Sequence, residues 1–351
     1  MAGIVTIIGA RPQFIKMALV SEALKRKRIK EIVIHTGQHY DAEMSGLFFK
    51  ELGIRCPDYN LGVGSGSHGG QTARMLAGIE KALLAERPDM VLVYGDTNST
   101  LAGALAAAKI NIKIAHVEAG LRSYNRNMPE EINRVITDRI SGALFCPTNT
   151  AVKNLRKEGI SKGVYLVGDV MYDLLKLMIG KIGKSGRGYP YILCTIHRAE
   201  NTDSRDNMKE IFAGLRGLGA RVVLPIHPRT LECVRKYKID VPSNVIITGP
   251  AGYKEMLGLQ RWAEAVITDS GGVQKEAFIL GTPCVTIRSE TEWTETVKSG
   301  MNKIVGQSSE RIISAVRDYR RVRPAADPEK FYGDGNAHRR IADILRKEIK
   351  G

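Results

Sequence analysis

Residues 266–283, VITDSGGVQKEAFILGTP, decide how this chain is read. An apolar β-branched run ends in Thr268-Asp269-Ser270-Gly271-Gly272, and a helical pattern starts at once. Gly271 and Gly272 carry no side chains, so a ligand can approach the backbone closely where a strand turns into a helix. The first N–H groups of that helix lack intrahelical partners and lie at the positive end of its dipole, which suits a phosphate. Glu276, early on the same helix, can accept hydrogen bonds from a pair of ribose hydroxyls. Gly-Gly alone is common at strand–helix junctions. Together with Ser270 and Glu276 it reads as a cradle for a nucleoside diphosphate. The cradle comes late in the chain, whereas a dinucleotide fold carries its Gly-rich turn after the first strand.

Outward from this junction, apolar runs alternate with helical patterns almost throughout. Strands are expected at 3–8, 31–35, 90–94, 112–117 and 143–146, with helices at 13–27, 41–52, 70–86, 98–109 and 129–141. A second series of strands follows at 190–196, 221–226, 244–247, 264–268 and 283–287, with helices between. Runs that are β-branched and do not alternate are what a parallel sheet covered on both faces needs. Lys181–Pro190, KIGKSGRGYP, has the composition of a linker. The fold class is therefore α/β, with two doubly wound parallel-sheet domains of similar size. The last helix, from about 335, can pack on either domain.

The bulk composition is compatible with that plan. Of 351 residues, 43% are hydrophobic and 25% charged, enough apolar material for two cores. No apolar run reaches the roughly 20 residues that span a bilayer, and no basic-then-apolar leader precedes the first strand. No membrane association is expected, and the reading is a cytoplasmic protein. Five scattered cysteines lack metal spacing, so reduced side chains are expected. The net charge of +15 invites a nucleic-acid reading, but the basic residues are dispersed and no nucleic-acid motif accompanies them. A basic surface that attracts anionic substrates is the better reading.

Ligands of open α/β sheets bind at the carboxyl ends of the strands. There the first strand delivers Gly9-Ala10-Arg11-Pro12, with Lys16 about a turn into the helix. Arginine suits bidentate contact with phosphate and lysine a point contact. Strand 90–94 runs into Gly95-Asp96, and strand 112–117 into Glu118. Glu130 and Glu131 open the helix after Pro129, where the dipole favours negative charge, and for one of the two that is the whole role. Three carboxylates around one pocket push proton affinities apart, as a general acid and a general base require. A metal is the competing use, but no ligand spacing supports one, and none is expected. His197 follows strand 190–196, either as a hydrogen-bonded structural residue or facing a ligand. His116 and His227 read as structural.

At this point the motifs GxRPxxIK at 9–16, TGQHYD at 36–41, YGDTNST at 94–100, HVEAGLRS at 116–123, MPEEINR at 128–134, HRAEN at 197–201 and TDSGGVQKEA at 268–277 can be taken together. In this order the chain resembles the non-hydrolysing UDP-N-acetylglucosamine 2-epimerases over nearly its whole length. The resemblance implies a GT-B-like architecture with the active site in the cleft between two Rossmann-like domains. It divides the chain into 1–169, 170–335 and a C-terminal helix 336–351 that packs back on the first domain. It also implies a homodimer, and a reaction without a cofactor in which UDP is eliminated across C1–C2 and added back. By motif position, Arg11, His197, Ser270, Gly271 and Gly272 are implied to contact the diphosphate, and Glu276 the ribose. Lys16, Asp96, Glu118 and Glu130 form the implied catalytic group with His197, supported by Arg134. Asp96 and Glu118 are the leading candidates for the base. The uracil pocket falls near Ala251 to Met256.

Two departures from the family pattern bear on the substrate. Where many members have Thr-Glu-Arg-Pro-Glu, this chain has Thr291-Glu292-Trp293-Thr294-Glu295, which places Trp293 by the sugar in that arginine's stead. The segment Ala42 to Leu47 lacks the glutamine with which bacterial enzymes bind a second, activating UDP-sugar. The chain also resembles the branch that epimerises UDP-2,3-diacetamido-2,3-dideoxy-glucuronate. A GT-B glycosyltransferase, which needs an acceptor groove rather than a carboxylate cluster, is the alternative of another class.

Overall fold

The computed structural model describes residues 3–38, 55–182, 187–322 and 324–349. The helix expected over 41–52, with the segment that lacks the activating glutamine, lies outside the described residues, as does the middle of the linker-like stretch. The chain divides into two compact units, Met1–Lys176 together with Glu329–Gly351, and Leu177–Pro328.

The first unit is built on seven strands: β1 (Gly3–Ile8), β2 (Lys30–His35), β3 (Tyr59–Asn60), β4 (Met90–Tyr94), β5 (Lys113–Val117), β6 (Ala143–Cys146) and β7 (Val164–Leu166). They form one parallel sheet in the order β3-β2-β1-β4-β5-β6-β7. Because strand side chains alternate between faces, an unbroken apolar run supplies two cores. Val5, Ile7, Val91 and Val93 pack under the helices His68–Glu86 and Asn98–Lys109, against Met75, Ile79 and Ala106. Ile4, Ile8, Leu92 and Tyr94 pack on the other face against Phe14, Met17, Val20 and Leu24 of the helix Arg11–Arg26. Ile341, Ala342 and Leu345 of the last helix, Ala337–Glu348, belong to that same cluster. Tyr165 donates its hydroxyl to Glu348 at 2.9 Å, tying the same helix to β7.

The second unit repeats the plan with β8 (Ile192–Thr195), β9 (Val222–Pro225), β10 (Val245–Thr248), β11 (Val266–Thr268), β12 (Cys284–Thr286) and β13 (Asn302–Ile304). Its parallel sheet has the order β10-β9-β8-β11-β12-β13. Cys194, Leu224, Ile267 and Val285 face Met208, Phe212 and Ile312, while Leu193, Val223 and Val266 face Leu259 and Ala277. The fold class is thus GT-B-like, two Rossmann-like doubly wound domains. In each sheet the order reverses once, between β1 and β4 and between β8 and β11. Helices leave in opposite directions there and open a crevice outside the strand ends.

All five cysteines are free; Cys56 is exposed and the other four are buried. Among the described residues no helix is long and apolar enough to cross a membrane.

Candidate functional site

In the first unit, the residues that leave β1, β4 and β5 meet at the switch point. Pro12 opens the helix Arg11–Arg26, and its fixed φ suits a first turn. Gln13 folds back so that its Oε1 accepts from Gly9 N at 2.7 Å and from Ala10 N at 3.0 Å. Its Nε2 donates to the Tyr94 carbonyl at 2.8 Å and to Thr100 Oγ1 at 3.0 Å, which clamps the β1 loop to the end of β4. One turn further on, Lys16 forms an ion pair with Glu118, both side chains being nearly buried. Gly95 makes room for this pair: its φ is +64°, and a Cβ there would lie 3.1 Å from Lys16 Nζ. Glu118 itself has φ +73°, a left-handed backbone rare outside glycine and typical of functional positions.

Asp96 carries the second ion pair, with Arg134 Nη2 at 2.5 Å from its Oδ2. Its side chain is 31% exposed, yet the surrounding protein strips enough water to raise its carboxyl above the ordinary range. Arg134 and Lys16 pull the proton affinity down, Glu130 and Glu118 push it up, and burial outweighs them all. Glu130 is half-buried in the first turn of the helix Pro129–Ile140. Its neighbour Glu131 has a structural task. Its carboxylate accepts from Ser123 N, Tyr124 N and Ser123 Oγ at 2.9, 2.9 and 3.0 Å, and pairs with Arg134 at 3.2 Å. Lys16, Asp96, Glu118, Glu130 and Arg134 therefore form one cluster. Arg11 precedes Pro12 in the first turn of the helix Arg11–Arg26, but its side chain lies outside the described residues.

In the second unit, β8 and β11 bring together His197 and the junction Asp269-Ser270. Asp269 is fully buried and accepts from the backbone N–H groups of His197 and Arg198, both at 3.0 Å, and from Asn201 Nδ2 at 3.0 Å. His197 Nδ1 stands 3.1 Å from the same carboxylate, so Nε2 is the ring atom available to a ligand. Burial would raise the Asp269 carboxyl, but the His197 charge and these hydrogen bonds override it and bring it down to about 2. Ser270 caps the helix Gly271–Ile279, accepting from Val273 N at 3.5 Å. The bare face of Gly271 is used by the protein itself: a Cβ there would lie 2.2 Å from Glu292 Oε1. Glu292 is buried and paired with Arg288 at 3.1 Å.

Glu276 is buried and accepts from Gln260 Nε2 at 2.6 Å. Ala251 belongs to the buried cluster around Leu193 and Leu259, and the partly buried Met256 packs against it. Trp293 is 4% exposed, with the buried Lys275 ammonium 4.1 Å from its ring centroid. His227 caps the helix Pro228–Lys236, its Nδ1 accepting from Arg229 N at 3.2 Å. Gln13, Asp269 and Glu292 were not singled out from the sequence. The first two announce themselves only by adjacency, as the third residue of a helix opened by Pro12 and as the residue before Ser270.

The first cluster can exchange protons with a substrate carbon or oxygen; the second presents a helix N-terminus and an oriented histidine to an anion. A family model for UDP-N-acetylglucosamine 2-epimerases matches residues 22–346. A Methanococcus maripaludis protein named as a homolog of UDP-N-acetylglucosamine 2-epimerase is 52% identical, over 98% of this chain and 99% of its own. The UDP-2,3-diacetamido-2,3-dideoxy-D-glucuronate 2-epimerase of Pseudomonas aeruginosa is 48% identical, with coverage of 98% and 99%. The crystal structure of Methanocaldococcus jannaschii UDP-GlcNAc 2-epimerase in complex with UDP-GlcNAc and UDP has a TM-score of 0.92 at 42% identity, covering 99% of each chain.

Proposed function

Because this chain belongs to the UDP-N-acetylglucosamine 2-epimerase family, and so is an isomerase, we propose that it interconverts UDP-GlcNAc and UDP-ManNAc through a 2-acetamidoglucal. The observation that carries this reading is the pair of carboxylates at the ends of adjacent strands, Asp96 and Glu118, each with its own cation. C2 of the sugar bears no carbonyl, so its proton is too weakly acidic for simple removal and return. Anti elimination avoids the carbanion. A carboxylate takes the C2 proton, the C–H electron pair becomes the C1=C2 bond, and the C1–O pair departs with UDP. Returning a proton to the opposite face of C2 as UDP adds back inverts that centre. Two carboxylates at neighbouring strand ends, each held by its own cation, suit a step that needs a base on one face and an acid on the other.

In this reading Asp96 and Glu118 exchange the proton, Lys16 and Arg134 hold them in place, and Glu130 is the third carboxylate of the group. His197, Arg11, Ser270 and the N–H groups of Gly271 and Gly272 receive the diphosphate, so UDP is stabilised as a leaving group and retained. Glu276 takes the ribose, Ala251 and Met256 line the uracil, and Trp293 with Lys275 bears on the sugar. A homodimer belongs to the same reading. What supports it is the outer face of the helix Pro129–Ile140, where Ile132 and Val135 are exposed beside Tyr124. That face lines an open groove of ≈580 Å³ that also includes Arg126, Arg139 and Glu158.

Incubation with UDP-GlcNAc in D₂O, with C2 followed by NMR, tests the proposal. Deuterium at C2 and a manno product are expected; retained protium with no manno product refutes it. The relation to the Pseudomonas enzyme and the Trp293 variant support a second reading, the diacetamido uronate as substrate by the same mechanism. The same exchange measured on that sugar decides between them. Release of free UDP and sugar would indicate hydrolysis instead.

A further inference from the structure

We propose that His116 is a positioning residue for the catalytic carboxylates, its ring tying the Gly95–Asp96 turn to Asp138 and so holding Asp96 and Glu118 together. The role is defined for the epimerase reaction and rests on that reading. His116 lies on β5, two residues before Glu118, and is fully buried. Its Nε2 is 2.7 Å from the Gly95 carbonyl and its Nδ1 is 2.7 Å from Asp138 Oδ1. A carbonyl only accepts, so Nε2 donates to Gly95, and Nδ1 is left to pair with Asp138.

The second Asp138 oxygen accepts from Gly120 N at 3.0 Å and Arg122 Nη1 at 2.7 Å. Arg122 in turn forks onto Glu158 at 2.6 and 2.7 Å. Burial would raise the Asp138 carboxyl, but the bonds and charges of His116 and Arg122 hold it below the ordinary range. One ring thus joins the turn after β4, the loop after β5 and the helix Pro129–Ile140 that supplies Glu130 and Arg134. The turn and the loop both contain left-handed backbone, at Gly95 and at Glu118. A non-glycine residue keeps such a backbone only where its surroundings impose it.

Two substitutions separate the halves of the tether. In His116→Gln the amide reaches as Nε2 does and keeps the donor to Gly95; in His116→Asn it reaches as Nδ1 does and keeps only the contact with Asp138. Since misplacement by about 1 Å costs on the order of 100-fold, His116→Asn is expected to lose roughly that in kcat with KM within about twofold. His116→Gln is expected to stay within about tenfold of the parent. Equal losses in the two variants, or an unimpaired His116→Asn, overturn the proposal.

Amide exchange over residues 94–98 reads the same tether without substrate. It should quicken in His116→Asn and not in His116→Gln, and unchanged exchange in both also overturns the proposal. If neither variant folds, ¹⁵N-histidine NMR of the unaltered protein decides, because a His116 ring with no proton on Nε2 excludes the tether. Turnover of the unaltered protein tests the epimerase reading separately, so the two can fail independently.

Discussion

Asp96 and Asp269 both follow a strand, yet their surroundings move their proton affinities in opposite directions. Asp269 is enclosed by donors, and its ionised form is the satisfied one. Asp96 has two cations and two carboxylates around it, and burial prevails. Asp96→Asn is expected to lower kcat by about 10²- to 10⁴-fold while UDP affinity, measured calorimetrically, stays within a few-fold; a parallel loss of UDP binding would refute its role. Asp269→Asn should weaken UDP binding through His197, which loses the carboxylate that orients it. It should also change the acid stability. The folded carboxyl lies at about 2 against a reference of 3.8, so its contribution of about 2 kcal/mol is fully present above the reference and is lost as pH falls through about 2. Urea unfolding of both proteins should therefore show a stability gap that narrows over that window; a gap independent of pH contradicts the assignment. Asp96 was legible because a carboxylate just past a strand end is a pattern. The oxygens' partners, which decide what each aspartate does, are not.

At the scale of elements, the strands Gly3–Ile8, Met90–Tyr94 and Ala143–Cys146 and the helix Asn98–Lys109 fall where the apolar pattern puts them. The strands Tyr59–Asn60, Val164–Leu166 and Asn302–Ile304 were not read, and all three are sheet edges. Two or three residues are too short to show a period, and an edge strand has little need of an apolar run. The clamp between β1 and β4 was equally hidden, since it depends on one glutamine reaching across the sheet. Gln13→Ala strips a partner from the Gly9 and Ala10 N–H groups and from the Tyr94 carbonyl. It should cost about 2–4 kcal/mol in chemical denaturation, concentrated in the first unit; a loss under about 1 kcal/mol would mean that water replaces the amide.

At the scale of the molecule, the two units carry separate cores, and the chain ends by returning to the first. Ile341, Ala342 and Leu345 form an apolar stripe at helical spacing, which announces a buried face without naming what covers it. The partner turns out to be Phe14, Met17, Val20 and Leu24. Ile341→Ala should therefore cost the first unit about 2–5 kcal/mol. Hydrogen exchange should quicken over residues 4–24 and 90–94 and stay unchanged over 192–195 and 266–268; equal quickening in both units would refute separate cores.

The sequence by itself determined the α/β class, the two series of parallel strands and the stations of Lys16, Asp96, Glu118, His197 and Ser270, because hydrophobic period and strand-end position are local properties. Only the tertiary structure decided which charges meet. Lys16 joins Glu118 and Arg134 joins Asp96 through strand order, and the side of Gly271 where a Cβ would stand is packed by Glu292. Such pairings join residues far apart in the chain. They depend on the order of strands and on competition among buried groups for partners, which no local pattern encodes.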